Sequence, residues 1–543
     1  MKEKHKMRAK YLGTALLSTA TVLTLAACGS SGGASSPDYE LTDVSFPLEE
    51  TVSLKMSTSS SPLAPADPNE KLIFQRLEEQ SGVNIEWKNY SSDYIEKRNL
   101  DISSGDLPDA MWNAGASDYD LLSWAEDGII IPLEDLINEH MPNFKKVLDE
   151  NPEYLAMITA PDGHIYSLPW IEELGQDKES IHTVNDIPWI NVDWLEALGL
   201  EMPQTTDELM VVLEAFKTQD PNGNGEADEI PISFINDGGN EDMKFLFGAF
   251  GIGDNDDHLV VNDDGTIDFT ADNEEFKNGV AYFNEMYNKE LIDVEAFEQD
   301  WNSYVAKGKE QLFGVYFTWD KANVSGANDS YEPLPALAGP SGEKHVTRTN
   351  GFGFSRDRFV ITSANKNLEL TAKWADQMYV PIQSVQNNWG TYGDETQQNI
   401  FEYVEATNSL KHLPLEGTAP GELRQKTEAG GPLAILDEYY GTVTTMPDDA
   451  QWRLDIFKDT YLADVHNQFN YPRVFLSLEQ ADRIAQIEAD FMPFVSRKRA
   501  EWIANGKVAE EWDAYLEELN RLGLEEWMQI KQEAYDTYLS NNK

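Results

Sequence analysis

The chain has 543 residues and a formal net charge of −55, from 96 acidic against 41 basic side chains; this argues against nucleic acid, whose phosphates need concentrated Lys and Arg. Its hydrophobic content of 41%, with 11% aromatic residues, is ample for a folded core and excludes a disordered acidic protein. The length exceeds what one core usually organises, so two lobes are expected.

The N-terminus carries Lys2, Lys4, Lys6, Arg8 and Lys10, then the apolar run YLGTALLSTATVLTLAAC. That run is too short and Thr-rich for a stable membrane span and reads as a signal peptide over 1–27. Leu25-Ala26-Ala27-Cys28 resembles the bacterial lipobox, with cleavage before Cys28 and a diacylglycerol (and palmitate) on its thiol; a chance Cys after a plain signal peptide is the alternative. Cys28 is the only cysteine, so no disulfide is expected. A Gly/Ser-rich tether over 28–47 follows, of the kind that spaces a domain from a surface. A lipid-anchored protein on the extracellular face of a bacterial cell membrane is expected.

Folded sequence is expected from about Glu50. Val52, Leu54 and Met56 alternate as in a strand, PNEKLIFQRLEEQ reads as a helix stopped by Ser81-Gly82, and VNIEW as a second strand. This βαβ unit implies a parallel sheet. The theme repeats with the helix DYIEKRNLDIS and the short strand AMWNAG. Helical patterns fill Leu121 to Ile158, punctuated by Pro132, Pro142 and Pro152. APDGHIYSLPW reads as a turn and a crossing between lobes. Gly199 closes one short helix, and Thr205 with Glu208 has capping-box spacing for the next. Leu209, Val212, Leu213 and Phe216 form its apolar face. Ile230, Ile232 and Phe234 alternate as a strand, and VVNDDGTIDFT reads as a hairpin around Asp264-Gly265. The C-terminal segment is helical, with Trp512, Tyr515, Leu516, Leu519 and Leu522 on one core face.

The connection DPNGNGEADE, Asp220 to Glu229, places Asp220, Asn222 and Asn224 at loop positions 1, 3 and 5. Glu226 stands at 7, Asp228 at 9 and Glu229 at 10. Alternate positions in a tightly wound loop converge, and Gly permits the left-handed turns. Hard oxygen donors with a backbone carbonyl at position 7 suit Ca²⁺ better than Zn²⁺ or Mg²⁺. The pattern departs from an EF-hand, since Pro231 stands at position 12 and a strand follows. A metal-free turn is the competing reading. A catalytic metal is disfavoured, because no His lies nearby and caged Ca²⁺ activates water poorly. Structural calcium is the reading adopted.

DGHIYSLPW, WINVDWLEALGLEMPQTTDELMVVLEAFKTQDPNGNGEADEIPISF, AKGKEQLFGVYFTW, GPSGEK and the helical end resemble the extracellular solute-binding lipoproteins of ABC-type carbohydrate importers. The LipO/LplA-like branch is most similar, and alginate-binding periplasmic proteins are more distantly so. The resemblance implies an α/β fold of two lobes, periplasmic-binding-protein-like of type II, each a central sheet flanked by helices, with a helical C-terminal extension. It implies an N-terminal lobe of 48–168 plus about 337–382 and a C-terminal lobe of 169–336 plus about 383–543. It implies a Ca²⁺ loop held by Asp220, Asn222, Asn224, Glu226 through its backbone, Asp228 and Glu229. It further implies a monomeric receptor, not an enzyme, that delivers an oligosaccharide or other polar solute to ABC permease subunits.

Sugar sites pair aromatic platforms with amides and carboxylates, at strand ends in open α/β sheets. On that basis the candidate ligand residues are Trp112, Asn113, Trp170, Trp319, Asp320, Asn350, Asn388 and Trp389, each Trp having core packing as its alternative. No catalytic residue is expected. An anchored glycoside hydrolase needs two carboxylates roughly 5–10 Å apart, and no such pair is marked here. A non-transport glycan-binding surface protein is the third reading.

Overall fold

The computed structural model describes residues 41–542, apart from 177–178, 327, 352, 415–419 and 466–468. The expected signal peptide, Cys28 and the expected tether up to residue 40 lie outside the described residues. A six-stranded sheet contains β1 (Val52–Ser59), β2 (Val83–Tyr90), β3 (Ala110–Trp112) and β4 (Leu168–Glu172). A four-stranded sheet contains β5 (Pro188–Asn191), β6 (Ile230–Ile232), β7 (Phe313–Phe317) and β8 (Tyr331–Pro333). β9 (Phe354–Ile361) and β10 (Leu433–Ile435) return to the first sheet.

The first sheet runs β10–β4–β9–β3–β1–β2 and the second β8–β5–β7–β6. β1 pairs in parallel with β2 from Val52↔Val83 to Ser59↔Tyr90, as the βαβ pattern requires. Its crossover helix Leu72–Ser81 ends at Gly82, whose φ of 72° is the left-handed conformation glycine supplies. Helix Thr206–Thr218 begins where expected, with Thr205 Oγ accepting from Glu208 N at 3.1 Å. Only half of the capping box forms, because Glu208 reaches past Thr205 to accept from Gln204 N at 2.8 Å. The Asp264-Gly265 hairpin forms between Leu259–Val261 and Ile267–Phe269. The C-terminal region is a 28-residue helix, Leu478–Asn505, followed by Val508–Leu522 and Leu524–Asn541, which are separated at Gly523.

Two large apolar cores accompany the sheets. One draws on residues between 44 and 171 and between 354 and 439, the other on residues between 174 and 346 and between 450 and 535. This differs from the boundaries expected at 168/169, 336/337 and 382/383. β4 lies between β9 and β10, so 168–172 belongs to the first sheet. Segment 383–439 is held there too, because Val385, Phe401 and Leu410 belong to the first core together with Leu433, Ala434 and Ile435 of β10. Ala336, Leu337 and Val346 stay with the second core.

Candidate functional site

Three chain crossings pass between the cores, near residues 172–174, 346–354 and 439–450. β1, β3 and β4 end, and antiparallel β9 begins, on the edge of the first sheet that meets these crossings. In the second sheet β7 runs out into Thr318, Trp319 and Asp320. Residues at these strand ends are therefore placed in the cleft region of an open α/β architecture.

On the first sheet's side, three expected residues are brought together. Trp170 Nε1 donates to Asn388 Oδ1 at 2.9 Å, and Asn388 Nδ2 donates to Glu172 Oε1. Glu172 is only 7% exposed; burial raises its pKa, opposed by the nearby Arg424 and by the Asn388 bond. Arg424 donates to the Asn388 carbonyl at 3.0 Å, and its guanidinium carbon stands 4.3 Å from the Trp389 ring centroid. Trp389 and Tyr440 each pack against both cores. Arg358 stands 6.0 Å over Trp170 with its buried Nε lacking a hydrogen-bond partner. Glu428, whose pKa burial raises, feels Arg424, Lys71 and Arg358. The group offers indole faces, a planar amide, carboxylates and guanidinium donors, a set suited to a polyhydroxylated solute.

On the second sheet's side, Trp319 is half-buried between His182, at 4.9 Å between ring centroids, and Arg453, at 3.3 Å over the ring. Arg453 is 2% exposed and ties this wall together through backbone carbonyls. It donates to Ile181 O at 3.1 Å and Asn185 O at 3.3 Å, and to Trp319 O and Val184 O. Burial pulls its pKa down to about 9. Asp320 is occupied as a helix cap, accepting from Ala322 N at 2.8 Å.

The remaining candidates are placed differently. Trp112 is 1% exposed, ringed by Phe74, Trp87, Phe359 and Trp374, with its Nε1 committed to Ala429 O at 2.9 Å. It is a core residue that also lines a cavity of about 60 Å³. Asn113 takes a positive φ of 50° and accepts from Gly431 N at 2.8 Å, orienting the 430–431 turn beside that cavity. Asn350 is buried, donates to Leu259 O and accepts from Tyr471 N, both at 2.8 Å. It stands apart from the tryptophans, on the wall of a separate cavity of about 610 Å³ between Asp256, Arg356 and Arg473. Glu172, Arg424, Glu428, His182 and Arg453 were not singled out from sequence. Only Glu172, two residues after Trp170, carries a local signal.

The acidic loop is wound by left-handed residues at Asp220, Gly223 and Gly225. Gly225 N donates to Asp220 Oδ2 at 3.1 Å, Glu226 N to Asn224 Oδ1 at 2.6 Å, and both Asn222 and Asn224 amides reach Asp228. Among the described residues no three His, Cys, Asp or Glu side chains gather as a metal site. The donor set is nevertheless one for a hard cation. Glu229 Oε1 is buried without a hydrogen-bond partner, and burial together with Asp228 and Asp220 raises the Glu229 pKa.

No family model matches the chain. It is 67% identical, over 97% of its own length and 98% of the relative's, to the fructooligosaccharide ABC transporter substrate-binding protein FusA of Streptococcus pneumoniae serotype 4. It is 24% identical to lipoprotein LipO of Bacillus subtilis strain 168, over 67% of this chain and 72% of LipO. A solved structure of S. pneumoniae FusA with kestose superposes with a TM-score of 0.81 at 68% identity, covering 90% of this chain and 100% of that one. A FusA EF-hand mutant with fructo-nystose does so at 0.80 with the same identity and coverage. The alginate-binding protein AlgQ2 without calcium ion shares the fold alone, at TM-score 0.63 and 21% identity over 90% of this chain and 99% of that one. The chain belongs to the solute-binding proteins of ABC-type carbohydrate importers, which are receptors and not enzymes.

Proposed function

We propose that this protein captures short fructose-containing oligosaccharides outside the cytoplasm and hands them to the permease of an ABC importer. The observation that carries the reading is 67% identity along 98% of a fructooligosaccharide-binding relative. The grouping of Trp170 and Glu172 on β4 with Asn388, Trp389 and Arg424 from helices Pro381–Trp389 and Pro420–Thr427 supports it, since their chemistry matches hydroxyls and CH faces. In this reading Trp170, Trp389 and Trp319 are the stacking platforms and Asn388 the planar hydrogen-bonding partner. Asn113 orients the 430–431 turn, while Asp320 and Asn350 hold neighbouring backbone. The lobes are residues 41–172 with 354–439, and residues 174–346 with 450–542, closing on the solute as a monomer. Melting the protein with and without kestose, beside an assay for released reducing sugar, tests the function. A receptor gains stability by mass action and releases no sugar; hydrolysis, or no stabilisation by any oligosaccharide, contradicts the reading.

Calcium at the acidic loop and lipid at Cys28 belong to the same proposal. The side chains of Asp220, Asn222, Asn224, Asp228 and Glu229 and the Glu226 carbonyl would hold Ca²⁺, which would neutralise the loop's carboxylates and clip helix Thr206–Thr218 to β6. A diacylglycerol on Cys28 would anchor the receptor, so Cys28→Ala should release it to the medium and abolish palmitate labelling; retention with full labelling contradicts the anchor.

A further inference from the structure

The chain makes a further passage between the cores, outside the three crossings. Tyr471 belongs to the second core, Phe475 is buried in a small apolar cluster with Met111, Leu121, Trp124 and Val360, and from Ile484 the chain is back in the second core. Met111 and Val360 alternate with Trp112 and Phe359 of the first core, so the cluster covers the opposite face of the first sheet. Among the described residues, Phe475 is the one buried member of that cluster from beyond Val360.

Residues 471–476 form a strap with no helix or strand of its own, and two charged side chains of the first sheet's side hold its backbone. Arg356 of β9 donates to Val474 O at 3.1 Å and to Arg473 O, and its guanidinium carbon stands 4.2 Å from the Phe475 ring centroid. Asp118 lies 3.4 Å from Arg356 Nε and also accepts from the Leu476 amide. The strap lies directly on the crossing at 346–354. Arg473 Nε donates to Gly351 O at 2.9 Å, and a Cβ at Gly351 would come within 2.7 Å of that Nε, so only glycine permits the approach. At its other end Tyr471 is tied to the C-terminal helix, its hydroxyl donating to Lys531 O at 2.9 Å.

The hold is incomplete. Arg356 is 6% exposed, yet its Nη1 has no hydrogen-bond partner, and burial lowers its pKa. An unused donor on a buried guanidinium costs free energy that release to water recovers. Burial of the Phe475 ring favours docking by an amount of the same order. Opposed terms of similar size make the contact reversible, which a permanent part of the fold does not need.

We propose that residues 471–476 are a latch: a strap of the second lobe that docks behind the first sheet at one lobe angle and leaves it at another. The receptor then switches between two discrete angles instead of drifting between them. The proposal rests on the two-lobed receptor reading above and goes beyond it, since it does not depend on which solute is bound. Spin labels at Leu100→Cys and Val211→Cys, 67% and 60% exposed on either lobe, report the angle in protein carrying Cys28→Ala. The unmutated strap should give one narrow distance without sugar and a different narrow distance with kestose. Phe475→Ala should broaden the distribution at least about twofold in one of these two conditions, the one in which the strap is docked. If that variant does not fold, Arg356→Met, which fills similar space without the carbonyl bonds, decides the matter by the same readout. Broadening in both conditions or in neither, or a distribution already broad with the strap intact, overturns the latch. Calorimetry that finds no kestose binding overturns the receptor reading instead, and the sugar-free distances then decide the latch by the same broadening.

Discussion

Trp170, Asn388 and Glu172 form a chain in which each side chain fixes the next. Asn388→Ala removes the Trp170 indole's acceptor and leaves buried Glu172 without its amide donor. In the receptor reading this variant weakens kestose binding by about tenfold, the loss expected for a buried polar partner; titration of a correctly melting variant with wild-type affinity would contradict it. The tryptophans at strand ends were legible because turn signals precede or follow them. The same signal marked Trp112, which four aromatic rings enclose. Asn388 and Glu172 lie 216 residues apart, and no local pattern announces such a pairing. Asp272 gives a residue-scale test of burial in the second core. Burial and neighbouring Asp268 push its pKa up to about 6, from 3.8. The folded state therefore holds the proton more tightly, and stability falls as pH rises from about 4 to about 6. Asp272→Asn should stabilise the protein by about 1–2 kcal/mol at pH 7.5, after allowance for partial exposure. Urea unfolding should show that gain vanish at pH 4; a gain equal at both pH values contradicts the assignment.

At the scale of elements, the first βαβ unit, helix Thr206–Thr218 and the 264–265 hairpin were readable because period, caps and turn residues agree. Two features were not. β10 is three residues long, and its place beside β4 depends on long-range pairing. The continuous C-terminal helical pattern splits at Gly523, whose φ of 114° no helix interior accommodates. The acidic loop is the element whose function is most directly testable. Asp228 and Asp220 both raise the Glu229 pKa, so a bound cation should stabilise the helix-to-strand connection. Chelator should lower the melting temperature by several degrees, since binding only the native state contributes RT ln(1 + [L]/Kd). Excess Ca²⁺ should restore it, and Asp220→Ala should abolish both responses. An unchanged melting temperature under chelation contradicts the calcium assignment.

At the scale of the whole molecule, two cores of separate make-up share three crossings, and Trp389 and Tyr440 touch both. A two-lobed architecture was legible from length and the family resemblance. The assignment of 383–439 to the first core was not, because it depends on one short edge strand. The central claim is that the solute is held between platforms contributed by both sheets. Calorimetric titration of the mature protein with kestose tests this most directly, set beside the Trp170→Ala, Trp319→Ala double variant. The account predicts saturable one-to-one binding to the wild type and loss of at least about a hundredfold in the double variant, as hot-spot aromatics imply. Wild-type protein that fails to bind kestose, or a folded double variant that binds it unchanged, would contradict the account.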